Sequence, residues 1–173
     1  FVDGTVLLSS ADNNDLLGGL QKTAGTVVTI GSGGSPSPTP TPTPGTSKLS
    51  LNPATATVAP NAEFTVEVRT NSGTTTVNAV QADFSYPADL VEFVAIDAAG
   101  SAFATEAPST GANGKVSIAR GNIEPVSGDK LVAKVRFKAK AGTGTATMAF
   151  VDGTALLNAT DNTDILGGLS GTS

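Results

Sequence analysis

A chain of 173 residues, 39% hydrophobic and 14% charged, is long enough for one domain with a real core plus appendages. It has no Cys and no His, which removes disulfides, thiolate or imidazole metal sites and the commonest general base. The absence of Trp and the single Tyr, Tyr86, argue against an aromatic sugar-stacking platform, the net charge of −5 argues against nucleic acid, and no apolar run approaches the roughly 20 residues that span a bilayer.

The chain opens on a repeat. Phe1 to Leu20 reads FVDGTVLLSSADNNDLLGGL, and Phe150 to Leu169 reads FVDGTALLNATDNTDILGGL. Fourteen of these twenty positions are identical at a constant offset of 149, so the parent protein repeats a unit of about that length. The first copy continues into QKTAGTVVTIG, a β-type run with Val28 and Ile30 on one face. The second copy has no counterpart of Gly25, Thr26, Val27, Val28, Thr29 and Ile30. The domain in this chain is therefore expected to lack its last strand, with a spare copy at the N-terminus.

Residues 31–47, GSGGSPSPTPTPTPGTS, follow as a linker. Alternating Pro favours polyproline II, so residues 35–44 predict a semi-rigid rod of about 30 Å. The chain thus divides into the tail of a preceding repeat (1–30), a Ser/Thr-Pro linker (31–47) and a nearly complete domain (48–173).

Within that domain, strands recur with period-2 alternation and no stretch has helical periodicity. In AEFTVEVR, Phe64, Val66 and Val68 share a face. In VQADFSY, Val80, Ala82, Phe84 and Tyr86 face one side and Gln81, Asp83 and Ser85 the other. LVEFVAI is more continuously apolar; KVSIAR places Val116 and Ile118 together. KLVAKVRFKAK turns Leu131, Ala133, Val135 and Phe137 inward, and TATMAF does the same with Ala146, Met148 and Phe150. Turn residues separate the runs, at Asn71-Ser72-Gly73, Pro87, Gly111 to Gly114, Ser127-Gly128-Asp129 and Gly142. One apolar face per strand, repeated this often, predicts an all-β fold of two antiparallel sheets packed face to face.

The run VNAVQADFSYPADLVEFVAID resembles the cohesin signature: a strand ending in an aromatic and a Tyr, a short turn, then an LEV-like strand. KLVAKVRFKAKAGTGTATMAF looks like that family's penultimate hairpin, and FVDGTALL followed by a GTVVTI-like strand looks like its close. The likeness covers residues 48–173 plus Gly25 to Ile30. It implies a nine-stranded sandwich of jelly-roll topology whose last strand lies beside the first, here KLSLNP at 48–53. The acceptor edge is then Lys48, Leu49, Ser50 and Leu51. The resemblance also implies binding of dockerins through a flat sheet face that includes VQADFSY, with Gln81, Asp83 and Ser85 outward.

Other features are weaker. Asp12 and Asp15, and again Asp161 and Asp164, sit in oxygen-rich loops of the kind that can hold Ca²⁺, but the D-x-x-D spacing lacks the alternation of an EF-hand loop and no cofactor is expected. Asn158-Ala159-Thr160 is a sequon absent from the first copy, which has Ser-Ser-Ala there. No acidic residue falls in a catalytic motif, so no enzyme is expected.

Three functions compete. The first is a building block of an extracellular or cell-surface fibre of tandem repeats, joined by Pro-rich linkers and by β-strand complementation with copies of itself or adjoining repeats. The second is a scaffold module capturing dockerin-bearing proteins; the third is a carbohydrate-binding module. Whether a donated strand comes along one polypeptide or from another chain stays open.

Overall fold

The computed structural model describes residues 25–31 and 47–166. The linker (apart from its end residues Gly31 and Ser47), residues 1–24 of the expected tail and the close of the second copy beyond Leu166 lie outside the described residues. Within the described residues twelve strands run in chain order: β1 (Thr26–Ile30), β2 (Lys48–Asn52), β3 (Thr55–Val58), β4 (Glu63–Asn71), β5 (Val77–Ser85), β6 (Val91–Asp97), β7 (Thr105–Glu106), β8 (Thr110–Ala112), β9 (Lys115–Val126), β10 (Asp129–Ala139), β11 (Gly144–Phe150) and β12 (Ala155–Asn158).

They form two sheets. One has the order β2-β4-β10-β6; the other runs β3-β1-β11-β5-β9-β7, with β12 also on β5 and β8 also on β9. The expected nine strands become twelve for local reasons. KLSLNP does not continue straight, because Pro53 offers no N–H to a ladder; the chain breaks there and resumes as β3 in the opposite sheet. Residues 105–112 add two short strands at the far edge.

The alternating faces meet as expected. Val66, Val68, Val80, Ala82, Phe84, Val116, Ile118, Val135, Phe137, Ala146 and Met148 are all buried between the sheets. Phe137 is the hub at one end, stacked on Phe64 (5.7 Å) and edge-on to Tyr86 (5.2 Å), Phe93 (6.2 Å) and Phe84 (6.4 Å). One expectation is corrected: β10 shifts register between Leu131 and Ala133, so Val132 is buried and Leu131 is only half-buried. An extra residue in a strand turns the following side chains over, and period-2 counting cannot see it.

Candidate docking face and closing strand

β1 carries the GTVVTI run. Its alternation buries Thr26, Val28 and Ile30 and turns Val27 and Thr29 outward. The strand lies inside the large sheet, antiparallel to β11 (Val28 opposite Ala146) and parallel to β3 (Val28 opposite Ala56). The expected acceptor edge is therefore corrected. Lys48, Leu49, Ser50 and Leu51 pair with β4 and have no ladder with β1. The first strand of the domain does accept β1, but only after Pro53 has carried it across to β3. Thr26 fixes that crossing through its hydroxyl, which donates to the Pro53 carbonyl at 3.0 Å, and Val27 N–H donates to the Ala54 carbonyl at 3.1 Å.

The seat of β1 is central. Among the described strands, β3 pairs with β1 alone, and β11 reaches β5 only at Ala149 and Phe150. Without β1 the large sheet would lose the strand that ties β3 to it, and most of β11 would be left without a ladder partner. Burial of Val28 and Ile30 stabilises by roughly 1.5–3 kcal/mol each. Gly25 begins the strand because a Cβ there would strike the Met148 carbonyl.

The two outer faces of the sandwich differ in charge. On the small sheet, Arg69 pairs with Glu67 (3.1 Å) and Asp129 (2.8 Å), and Arg136 with Glu63 (3.6 Å). Lys134 stands in register between Glu67 and Asp97, and Lys138 between Glu63 and Glu92. Such a face is well solvated, and its exposed ion pairs contribute little to stability.

The large sheet is different. Two rows cross the sheet: Leu157–Ala79–Gly121–Thr105 over four strands, and Ala155–Gln81–Ala119 over three, continued by Ala107 just after β7, whose N–H donates to the Ala119 carbonyl. They line a shallow groove of about 340 Å³ whose floor is almost entirely apolar. Ile123, 88% exposed, stands two residues beyond Gly121 on β9. The β7 wall is pinned by Arg120, whose side chain is 5% exposed, whose Nε donates to the Phe103 carbonyl at 3.0 Å and whose Nη1 lies 3.7 Å from Glu106.

Gln81, Asp83 and Ser85 share one side of β5, but Asp83 is buried there, and the polar groups of all three are tied down. Gln81 Nε2 donates to Asp83 Oδ1 (2.7 Å) and to the Ser117 hydroxyl (3.0 Å); Lys115 Nζ is 3.6 Å from Asp83 Oδ2; the Ser85 hydroxyl reaches the Ala149 carbonyl at 3.4 Å. Of the three, Gln81 lines the groove, and Asp83 and Ser85 continue along β5 beyond it. The floor itself was missed from sequence, because Ala79, Ala119, Gly121 and Ala155 carry no chemical label. The available cue was smallness itself: Ala and Gly recurring at outward positions where Thr, Lys or Glu is usual.

Asp161 and Asp164 are placed in the turn after β12, and Oδ1 of each already accepts two hydrogen bonds. Asp161 Oδ1 accepts Thr163 N–H (3.1 Å) and the Thr163 hydroxyl (2.8 Å), which hold its carboxyl below the usual carboxylate range. Asp164 Oδ1 accepts the N–H groups of Leu156 and Leu166, both at 3.0 Å. Removing that carboxylate orphans two half-buried donors, so Asp164→Ala should cost about 1–3 kcal/mol in urea denaturation. No cluster of three or more acidic side chains with metal-binding geometry occurs among the described residues. No helix among them is long and apolar enough to cross a membrane.

Two sheets in this order, with one nearly uncharged outer face, define a β-sandwich module whose candidate site is a sheet surface and not an enclosed cleft. The cohesin domain model matches residues 48–170, and the chain belongs to the cohesin domain family. Solved structures agree on the fold. The sixth cohesin of scaffoldin B from Acetivibrio cellulolyticus, solved with a Cel5 dockerin, is 15% identical with a TM-score of 0.61, over 72% of this chain and 94% of that one. CaCohA2 of Clostridium acetobutylicum, solved in complex with CaDoc0917, is 20% identical with a TM-score of 0.59, over 69% and 92%. The cohesin module of a family 33 glycoside hydrolase from Clostridium perfringens is 20% identical with a TM-score of 0.55, over 72% and 91%. A comparison with curated proteins gives no match.

Proposed function

We propose that this chain is a non-catalytic, extracellular scaffold module that captures a dockerin-type partner on the outer face of its large sheet. The observation that carries this reading is the apolar floor across β12, β5, β9 and β7. Desolvating Ala79, Ala119, Gly121 and Leu157 costs little, whereas covering the ion-paired face of the small sheet would strip water from at least seven charged groups. Four strands about 4.8 Å apart span roughly 14 Å, the length of about ten residues of helix. Small side chains let a helix backbone approach closely, and Ile123 offers an apolar anchor at the end of the floor. Membership of the cohesin family, and relatives solved in complex with dockerins, support a dockerin-type partner; the choice of face rests on the apolar floor alone. Titration calorimetry of the full chain against a panel of calcium-loaded dockerins tests it. Saturable binding lost in Ile123→Asp supports the reading; no binding across the panel, or binding indifferent to the floor, overturns it.

A second reading has its own observation, the repeat at both ends together with β1 seated inside the sandwich from across the linker. The module then also serves as the building block of a fibre of tandem repeats, each sandwich closed by a strand from an adjoining unit or another copy. Light-scattering mass at two concentrations is the test. Mass growing with concentration supports strand donation between chains; a constant monomer mass restricts closure to a single polypeptide.

A further inference from the structure

The repeat contains more than β1. At the offset of 149, residues 1–17 correspond to residues 150–166, the segment that forms β12 and its turn. That segment is seated through a few specific features. Gly153 has φ +95°, with a Cβ there falling 2.8 Å from Asp83 Oδ2. The Thr154 hydroxyl lies 2.8 Å from the Asp83 and Val151 carbonyls and accepts Asp83 N–H at 3.2 Å. Leu156 and Leu166 are buried, Asn162 has φ 57°, and Asp164 caps the turn. Each has an identical counterpart: Gly4, Thr5, Leu7, Leu17, Asn13 and Asp15. The six positions that differ fall at Ala155, Asn158, Ala159, Thr160, Thr163 and Ile165, and none of these is buried. Asn158 accepts Thr160 N–H at 2.9 Å, a bond the Ser9 hydroxyl can also supply.

We infer that residues 1–17 of this chain are a second, interchangeable occupant of the seat on β5, and that they compete there with residues 150–166. The inference rests on the strand-sharing reading and deepens it. With β1 in its slot, only residues 18–24 separate it from the competing segment, so the competitor is held at high local concentration. The exchange unit is then the whole lobe 1–30 and not the strand alone. In a tandem array, a domain that accepts the preceding lobe frees its own C-terminal copy for the next domain, and the register shifts by one unit. The exchange also reaches the docking floor: Val6 would replace Ala155 beside Gln81, filling part of the groove.

Valine at the positive-φ glycine of each copy tests this in the full chain. Gly153→Val should lower the melting temperature by no more than about 2 °C, since the N-terminal copy takes the seat, and Gly4→Val should do the same. The double variant should fall by about 8 °C or more, because neither copy then fits. In Gly153→Val, hydrogen exchange at Leu7 should slow while that at Leu156 quickens. The inference is overturned if Gly153→Val falls as far as the double variant, or if the double variant matches the parent. The strand-sharing reading fails separately, by its own test: a Val28→Asp variant as stable as the parent.

Discussion

Val28→Asp should cost at least about 4 kcal/mol, which at this chain length is a fall of roughly 8–16 °C in melting temperature. Val28 is 0% exposed and sits between Ala56 and Ala146, so a carboxylate there has neither water nor a partner. Native domains hold only about 5–15 kcal/mol, so the sandwich would become marginal. Thr29→Asp is the control. Its side chain points outward between Thr57 and Thr145, and the change should stay within about 0.5 kcal/mol. A synthetic peptide of residues 23–31 added in excess to Val28→Asp should restore the lost melting temperature, because the slot accepts a strand through backbone ladders on both sides. Two results would sink the strand-sharing reading: Val28→Asp melting with the parent, or Thr29→Asp losing as much.

The second large effect is on binding and leaves stability alone. Ala119→Arg places a long cation in the middle of the floor, between Gln81 and the Ala107 end of its row, without touching the core. The affinity for a dockerin that binds the parent should fall about 30-fold or more, equivalent to a loss of about 2 kcal/mol, since the site is central and desolvated when covered. The melting temperature should move by no more than about 2 °C, because Ala119 faces out of the sandwich. Arg136→Ala on the ion-paired face should leave affinity unchanged. Equal losses in Ala119→Arg and Arg136→Ala would assign docking to neither face.

Much of the fold was legible from alternation alone. Val66 and Val68, Val116 and Ile118, and Ala146 and Met148 are buried where period-2 counting puts them, because a half-buried strand has to alternate. The failures are instructive. The bulge at Val132 displaced only Leu131 from the expected inward set, leaving Ala133, Val135 and Phe137 buried as read, and nothing local in KLVAKV marks it. The acceptor edge was misplaced onto Lys48–Leu51 because a strand that breaks at a proline and resumes in the other sheet still reads as one element. Gln81, Asp83 and Ser85 were legible as one side of β5 because polar residues on an alternating strand stand out. The floor beside them was invisible, because Ala and Gly are equally at home in turns, cores and surfaces.

By itself the amino-acid order determined that this is an all-β chain, that its two ends are copies of one segment, and that GTVVTI has the pattern of a strand with one buried face. These are properties of short periods and of identity between segments, and both survive without coordinates. Only the tertiary structure decided that β1 lies between β3 and β11, that Thr26 and Val27 bind the turn at Pro53 and Ala54, and that small residues from four distant strands meet in one uncharged floor. Each of those depends on which strands become neighbours, and neighbours in a sheet are chosen by packing across the whole sandwich and not by any local run of residues.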